Sequence, residues 1–223
     1  MKEVYYIAEK TTKEQCGEKI LPLIDTLMLK DENLESKIKN ADSLIFTSKR
    51  AIIFLQKQSQ SWQNLPCYVL GQGTQSALND LGLKAFFCGK SGYGDTFAKE
   101  LQTALKHKKP LFIHGEKTAS NLSELLCEFK IHLEEAILYK SATRILTQEE
   151  KQGFCFKKDS IFFFSSPSRI DAFLQNFTWK ESFIALCIGV TTANYCKTQL
   201  PQAQIKITKN TSILESLKEA QTL

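Results

Sequence analysis

The sequence predicts an α/β protein of two similar domains, each a parallel sheet flanked by helices, joined by a two-stranded extended linker. Short apolar segments alternate along most of the chain with helical patterns of about ten residues, which is typical of βαβ units around a parallel sheet. Two motifs also recur at one fixed offset, which indicates a duplicated unit. The length of 223 residues allows two domains of about 100 residues, each with its own core.

The repeat is carried by two independent pairs of motifs. Phe46-Thr47-Ser48 matches Phe164-Ser165-Ser166, and the turn from Gly71 to Thr74 matches the turn from Gly189 to Thr192. Positions 46 and 164, like positions 71 and 189, are 118 residues apart. Because this period is so long, we expect a duplicated domain rather than a solenoid of short repeats.

The two copies predict how the chain is divided. The second copy lacks an early strand, which residues 1–10 can supply. We therefore expect one discontinuous domain, formed by residues 1–28 and 142–223, and one inserted domain, formed by residues 31–139. Two extended segments, about 20–30 and 136–146, would link them, and Pro22 in the first argues against a central strand.

Individual elements follow from β-rich apolar runs and from helical patterns with start and stop signals. In the first part of the chain we expect a strand at 4–8, a short helix at 13–19, an extended segment at 20–29 and a helix at 32–40. Strands at 43–47, 67–70, 84–88 and 111–114 should alternate with helices at 49–58, 74–81, 96–106 and 121–130. After an extended segment at 134–146, Thr147 and Glu150 have capping-box spacing and open a helix at 147–153. Strands at 160–164, 183–188 and 204–208 and helices at 167–177, 191–199 and 212–220 complete the prediction.

The composition is that of a folded protein rather than a disordered chain, with 43% hydrophobic and 24% charged residues. No apolar segment approaches the length of a membrane span, and the short apolar core within residues 1–10, which charges flank, is too short for the apolar region of a signal peptide. We therefore expect a cytoplasmic protein. The net charge of +5 suits an anionic ligand, although a solvated basic surface explains it equally well. The basic run 106–109 lacks an accompanying nucleic-acid motif, so no nucleic-acid partner is expected.

The seven cysteines and three histidines give no metal or redox pattern. No Cys-x-x-Cys and no His-Glu-x-x-His occurs, and most cysteines lie in apolar sequence. We expect reduced, buried thiols and no metal site.

Chemistry is expected where the repeated motifs lie, because ligands of open α/β sheets bind beyond the carboxyl ends of the strands. There, hydroxyls at strand-to-helix turns and glycine turns at helix starts would meet a ligand, although such hydroxyls are often plain helix caps. The glycines form neither a Rossmann fingerprint nor a P-loop, and no catalytic triad or carboxylate pair can be assembled. These turns therefore suit a ligand with several carboxylates.

In order along the chain, these motifs resemble the uroporphyrinogen-III synthase family. No single motif is specific, and the ordered set from about 44 to 193 carries the resemblance. Its members are the turns 44–48 and 71–74, Gly92-Tyr93-Gly94-Asp95, Ile113-His114-Gly115-Glu116, Leu138-Tyr139, and the segments 164–168 and 188–193.

The resemblance implies a fold, a reaction and a set of site residues. The family has two α/β domains, one built from both chain ends, and cyclises hydroxymethylbilane to uroporphyrinogen III with inversion of ring D and loss of water. It needs no metal or organic cofactor. The substrate, a linear tetrapyrrole with eight carboxylates, would lie between the domains. The resemblance implies a catalytic role for Tyr139, whose O–H would assist departure of hydroxide, and substrate-binding roles for Thr47, Ser48, Gly71, Thr74, Gly115, Ser165, Ser166, Ser168, Gly189, Thr191 and Thr192.

Some positions depart from the family pattern. Lys49 stands where the first turn commonly has proline, His114 where arginine often precedes Gly-Glu, and Val190 where proline is frequent. Whether Lys49, Arg50 or His114 contacts substrate stays open at this point. The same binding groups also suit a noncatalytic two-domain binding protein for an anionic small molecule. We expect a monomer, since a cleft between two domains needs no partner chain.

Overall fold

The computed structural model describes residues 2–118, 121–210 and 212–223. The chain divides into two compact units, unit 1 with Met1–Thr26 and Ala142–Leu223, and unit 2 with Leu27–Ser141. Each unit contains a parallel sheet flanked by helices, so the predicted α/β fold class is confirmed.

The elements follow one another in chain order, with strands and helices alternating from residue 34 onwards. The strands are β1 (Val4–Glu9), β2 (Lys19–Met28), β3 (Ser43–Phe46), β4 (Cys67–Val69), β5 (Phe87–Cys88), β6 (Pro110–Gly115), β7 (Glu134–Thr143), β8 (Ile161–Phe164), β9 (Ile184–Cys187) and β10 (Gln204–Ile207). The helices are α1 (Leu34–Asn40), α2 (Lys49–Gln58), α3 (Gln72–Asn79), α4 (Gly94–Ala104), α5 (Leu122–Glu128), α6 (Gln148–Gln152), α7 (Pro167–Leu174), α8 (Val190–Gln199) and α9 (Ile213–Ala220).

The sheet of unit 2 has the strand order β7-β6-β3-β4-β5, and the paired strands are parallel. Successive side chains of β3 enter cores on opposite faces, with Leu44 and Phe46 in one cluster and Ile45 in the other. Both faces are covered because the crossover helices of a parallel sheet lie on its two sides. This explains why β3 is apolar at successive positions instead of alternating.

The sheet of unit 1 has the order β10-β9-β8-β1-β2, again with parallel pairs. The first strand of the chain lies between β8 and β2, with Val4 opposite Ile161. Aromatic rings fill one face, including Phe162 and Phe173, whose centroids are 4.7 Å apart. Residues from both chain ends therefore form one sheet and one core.

The predicted duplication is confirmed by equivalent contacts in the two units. Ser48 and Ser166 are the N-caps of α2 and α7, and Gly71 and Gly189 are the N-caps of α3 and α8. In the first copy the Leu70 N–H donates to the Phe46 carbonyl at 2.9 Å, and in the second copy the equivalent Ile188 N–H donates to the Phe164 carbonyl at 3.1 Å. The two residues of each equivalent pair are 118 positions apart in the sequence.

The helix predicted at 13–19 is wrong. Instead, the buried Glu18 carboxylate accepts hydrogen bonds from the backbone N–H groups of Gln15 and Cys16, at 2.9 and 2.7 Å. Gly17 has a φ of +85°, which a helix does not allow. A local side-chain acceptor has competed successfully with the helix for these donors, and β2 begins directly afterwards at Lys19.

Two strand predictions also need adjustment. The strand predicted at 84–88 is reduced to Phe87–Cys88. Pro22 lies inside β2 opposite Ala8, next to a register shift between Ala8 and Glu9. Since proline has no N–H to donate, an irregularity in the pairing is the place where a strand tolerates it.

The described residues contain no helix that is both long enough and apolar enough to cross a membrane.

Candidate functional site

A cavity of about 290 Å³ lies in unit 2 and brings together four of the residues predicted from sequence: Thr47, Ser48, Gly115 and Tyr139. Glycines, a cation and further aromatic groups share its wall. Among the described residues, the lining is Thr47, Ser48, Leu70, Gly92, Tyr93, Gly94, His114, Gly115, Lys117, Thr118 and Tyr139.

The strand pairing explains why these residues meet. Phe46 at the end of β3 lies opposite Ile113 of β6 on one side and Val69 of β4 on the other. The residues that follow, Thr47, Leu70 and the pair His114-Gly115, therefore emerge at one edge of the sheet. This is the carboxyl edge, where an open α/β sheet binds its ligands.

Tyr139 is held by Gly115 and Phe54. A Cβ atom placed on Gly115 would lie 2.4 Å from Tyr139 Cε2, so only glycine lets the ring approach this closely. The Phe54 ring stacks on Tyr139, with centroids 5.3 Å apart and planes at 19°. The ring is half-buried, and no described residue forms a hydrogen bond with its hydroxyl, which leaves the phenol able to bond a ligand in the cavity.

The approach of Gly115 and Tyr139 depends on an irregularity in the pairing of β6 with β7. His114 pairs with Ile137, but Gly115 pairs with Tyr139, so the register shifts by one residue between them. The Glu116 N–H then donates to the Tyr139 carbonyl at 2.8 Å. The bulge re-aims the tyrosine, as bulges next to functional sites often do.

His114 is buried in the same wall. Its Nδ1 donates to the Gly115 carbonyl at 2.8 Å, and its ring stacks on Phe112 with a centroid distance of 4.4 Å. Its Nε2 lies 3.7 Å from the Glu135 carboxylate. The sequence marked His114 only as a departure from the family pattern, whereas the structure places it in the cavity lining.

The hydroxyls of the first turn have different surroundings. Ser48 caps α2, because its Oγ accepts from the Arg50 N–H at 3.1 Å. Thr47 is half-buried and lines the cavity beside it. The interpretation of Ser48 as a helix cap is thus confirmed, and its place in the cavity wall allows a second role.

Gly71 and Thr74 are not part of the cavity lining. Gly71 lies close to it, since a Cβ on Gly71 would be 3.8 Å from the Gly92 Cα. Thr74 is buried in α3, where its backbone N–H donates to the Gly71 carbonyl at 3.0 Å.

Sequence reasoning missed four side chains of the cavity: Leu70, Tyr93, Lys117 and Thr118. Tyr93 is largely exposed at the N-cap of α4, and Lys117 is exposed after β6. The Gly-Tyr-Gly segment was a signal for Tyr93, because glycines around a helix start allow close backbone approach to a ligand. No signal distinguished Lys117 from the other lysines.

The six predicted residues of unit 1 share one sheet edge. Phe164 at the end of β8 lies opposite Cys187 at the end of β9, so the turns after both strands are neighbours. The Arg169 Nε donates to Ser165 Oγ at 3.2 Å, and Ser166 Oγ lies 3.0 Å from Ser168 Oγ. The other three residues belong to the turn and first residues of α8, where Thr192 is buried and Gly189 and Thr191 are more accessible.

The described part of the chain holds no group of three or more His, Cys, Asp or Glu residues that could bind a metal ion. All seven cysteines are free thiols. The expectation that most are buried is wrong: Cys67, Cys187 and Cys196 are buried, whereas Cys127 and Cys155 are exposed.

Fold and site together define a class: duplicated α/β proteins with a cavity at the carboxyl edge of a parallel sheet. A family model described as "Uroporphyrinogen-III synthase HemD" matches residues 9–210. The chain belongs to the uroporphyrinogen-III synthase family.

Solved structures support this assignment. The chain is similar to a uroporphyrinogen-III synthetase from Helicobacter pylori, with 27% identity, a TM-score of 0.77 and coverage of 100% of this chain and 99% of the other. It also resembles a mutant uroporphyrinogen III synthase from the extremely thermophilic bacterium Thermus thermophilus, with 15% identity, a TM-score of 0.53 and coverage of 100% and 99%, a likeness that shows the fold alone. A search of the curated proteins gave no significant match.

The family assigned from the ordered motifs is therefore confirmed, and with it the enzyme class, a lyase-type cyclase of haem biosynthesis that acts on a small-molecule tetrapyrrole. The family's reaction, the cyclisation of hydroxymethylbilane to uroporphyrinogen III with inversion of ring D and loss of water, is the reaction of this chain. The noncatalytic alternative is not favoured.

Proposed function

We propose that Tyr139 carries the chemistry of this cyclisation. The position of the Tyr139 ring supports this proposal. The ring is half-buried and is held by Gly115 and Phe54 at a cavity that Thr47 and Ser48 also line. A phenol O–H there can hydrogen-bond to the substrate hydroxyl as its C–O bond breaks. A pyrrole carbon of ring D then attacks the azafulvenium-like cation left behind and gives a spiro intermediate, which fragments and closes again with ring D inverted.

The cavity of unit 2 binds one end of the substrate. Its volume of about 290 Å³ suits one pyrrole ring with its hydroxymethyl group better than a whole linear tetrapyrrole. Carboxylates of that end meet the N-terminus of α2 at Thr47 and Ser48, with the turn at Gly71 and Thr74 beside it. An anion gains about 0.3–1 kcal/mol from an exposed helix N-terminus and up to ~2 kcal/mol from a partly buried one.

The turns of unit 1 bind further carboxylates. Ser165 accepts from Arg169, which leaves the serine O–H to donate to an anion beside a guanidinium. Backbone N–H groups at the starts of α7 and α8 add to this, as expected at helix N-termini. The binding set of unit 1 is Ser165, Ser166, Ser168, Gly189, Thr191 and Thr192.

We also propose how the chain is divided into domains. One domain consists of residues 1–28 and 142–223, and the other consists of residues 31–139. The segments 20–30 and 136–146 connect them. The enzyme works in the cytoplasm as a monomer and has no nucleic-acid partner.

The role of Tyr139 is tested with Tyr139→Phe, using enzymatically generated hydroxymethylbilane as substrate. We expect formation of isomer III to slow by at least about tenfold, a modest share of what a positioned proton donor contributes. Tyr195→Phe is the matched control, because the Tyr195 hydroxyl donates to Asp171 at 2.6 Å within unit 1 and Tyr195 does not line this cavity. An unchanged rate for Tyr139→Phe would make Tyr139 a packing residue.

A further inference from the structure

The peptide between Gly115 and Glu116 is fixed from both sides. Its carbonyl accepts from His114 Nδ1 at 2.8 Å. Its N–H donates to the Tyr139 carbonyl, also at 2.8 Å. Because both groups of one peptide plane are bonded, the plane cannot rotate without breaking a hydrogen bond.

This peptide determines where the Tyr139 ring lies. The Gly115 Cα supports the ring so closely that an added methyl group would be 2.4 Å from Cε2. Phe54 stacks on the ring. A rotation of the Gly115–Glu116 peptide would therefore move both the surface under the ring and the backbone that carries it.

His114 is itself oriented by its surroundings. Its side chain is only 8% exposed, and it stacks on Phe112. The Gly115 carbonyl can only accept a hydrogen bond, so Nδ1 must carry a proton. Within the described residues Nε2 has no hydrogen-bond partner, and it faces Glu135, whose carboxylate accepts from Ser123.

A buried nitrogen without a hydrogen bond costs free energy that an apolar side chain in the same place would not. Packing alone therefore gives no reason for a histidine here. The bond from Nδ1 to Gly115 is what this residue adds to the site.

We propose that His114 is a positioning residue for Tyr139, acting through the Gly115–Glu116 peptide. This inference rests on the role proposed for Tyr139. His114 does not transfer a proton to the substrate. It fixes the peptide that aims the phenol at the cavity.

Three substitutions separate the hydrogen bond from the rest of the side chain. His114→Asn keeps a donor near the position of Nδ1, whereas His114→Gln moves the donor towards the position of Nε2 and His114→Leu has none. We expect the Leu and Gln variants to lower kcat about tenfold, which is less than the ~100-fold loss that a misplacement of about 1 Å can cause, with KM within about twofold. His114→Asn should recover most of that loss. His132→Leu is the matched control, because His132 is exposed in the same unit.

Coupling to Tyr139 distinguishes positioning from a general structural role. With Tyr139→Phe in place, the phenol that His114 positions no longer exists, so adding His114→Leu should lower kcat by less than about twofold. The same tenfold loss in both backgrounds would contradict the proposal. So would a His114→Asn enzyme as slow as His114→Leu.

A readout without substrate tests the positioning directly. In protein labelled with 3-fluorotyrosine, the ¹⁹F resonance missing from Tyr139→Phe belongs to Tyr139. We expect His114→Leu and His114→Gln to shift or broaden it, and His114→Asn and His132→Leu to leave it in place. An unmoved resonance in the Leu and Gln variants would overturn the inference. A moved resonance together with a fully active Tyr139→Phe would instead reject the proposed catalytic role and leave the positioning intact.

Discussion

Gly115 and Tyr139 are packed so closely that a single methyl group on Gly115 would lie 2.4 Å from Tyr139 Cε2 and 2.8 Å from Cζ. The contact exists because the pairing of β6 with β7 shifts by one residue between His114 and Gly115. The position of the proposed catalytic phenol therefore depends on a glycine in a different strand.

Gly115→Ala tests this dependence. The new methyl group must displace the Tyr139 ring, so we expect a loss of about 1–3 kcal/mol in the free energy of unfolding from overpacking. Turnover should fall by more than about tenfold, because the phenol leaves its position. Denaturant unfolding and the rate of isomer III formation measure the two effects.

The control for this substitution is Gly73→Ala. Gly73 lies in α3, and a Cβ there meets nothing within 4 Å. Alanine in a helix should stabilise by up to about 1 kcal/mol. Because Gly73 lies between Gly71 and Thr74, in the turn proposed to bind carboxylates, turnover is compared as kcat, which should be unchanged, and any loss of binding would be seen in KM. Normal turnover of Gly115→Ala would show that the ring position does not matter for the reaction.

Ser48 and Ser166 occupy equivalent N-caps but differ in their bonds. Ser48 Oγ accepts from the Arg50 N–H, whereas Ser166 Oγ bonds Ser168 Oγ and does not cap α7. Ser48→Ala should therefore cost about 1 kcal/mol of stability, and Ser166→Ala no more than about 0.5 kcal/mol. If both bind carboxylates as proposed, KM rises in both variants. Equal losses of stability with no change in KM would show that both are purely structural.

Thr192→Ala tests the binding role of unit 1. A hydrogen bond to a charged group is worth about 1.5–3 kcal/mol, so KM should rise at least about tenfold while kcat stays within about twofold. Thr198→Ala in the same helix is the control, since the exposed Thr198 hydroxyl donates to the Tyr195 carbonyl at 2.7 Å, within its own helix. Steady-state kinetics measures KM and kcat of both variants. An unchanged KM for Thr192→Ala would remove Thr192 from the proposed binding residues.

Glu3 makes the stability of unit 1 depend on pH. Hydrogen bonds from Lys19, Lys157 and Tyr5 lower the pKa of its carboxyl from 4.5 to about 2. Because the folded-state pKa is below the unfolded one, the stabilisation is complete above pH about 4.5 and is lost as the pH falls towards 2. Glu3→Gln should thus lower the urea midpoint at pH 6 and differ little from the wild type near pH 2.

The control for Glu3 is Glu215→Gln. Glu215 forms an exposed ion pair with Lys218, and such pairs contribute little. Its midpoint should follow the wild type at every pH. A Glu3→Gln midpoint equal to that of the wild type at pH 6 would show that the cluster around Glu3 does not stabilise the fold.

Much of the fold was predictable because it follows from local patterns. Helix α2 begins and ends as predicted at 49 and 58, where the apolar positions and the Ser48 cap agree. The repeat at an offset of 118 residues also placed Ser48 and Ser166, like Gly71 and Gly189, at equivalent positions before a helix, although only Ser48 caps its helix through the hydroxyl.

The failures have one local cause and two non-local ones. The segment 13–19 has helical composition, but the buried Glu18 carboxylate takes the backbone donors that a helix would use. Tyr139 was recognisable from its motif, yet its contact with Gly115 depends on a bulge that no periodicity reveals. Lys117 enters the cavity wall only because the end of β6 lies beside that of β3.

The most direct test of the whole account is the isomer composition of the product formed from hydroxymethylbilane. The wild-type protein should convert enzymatically generated hydroxymethylbilane mainly to uroporphyrinogen III, identified after oxidation by separation of the porphyrin isomers. Spontaneous closure gives isomer I. A product that consists only of isomer I, at the rate seen without protein, would contradict the account.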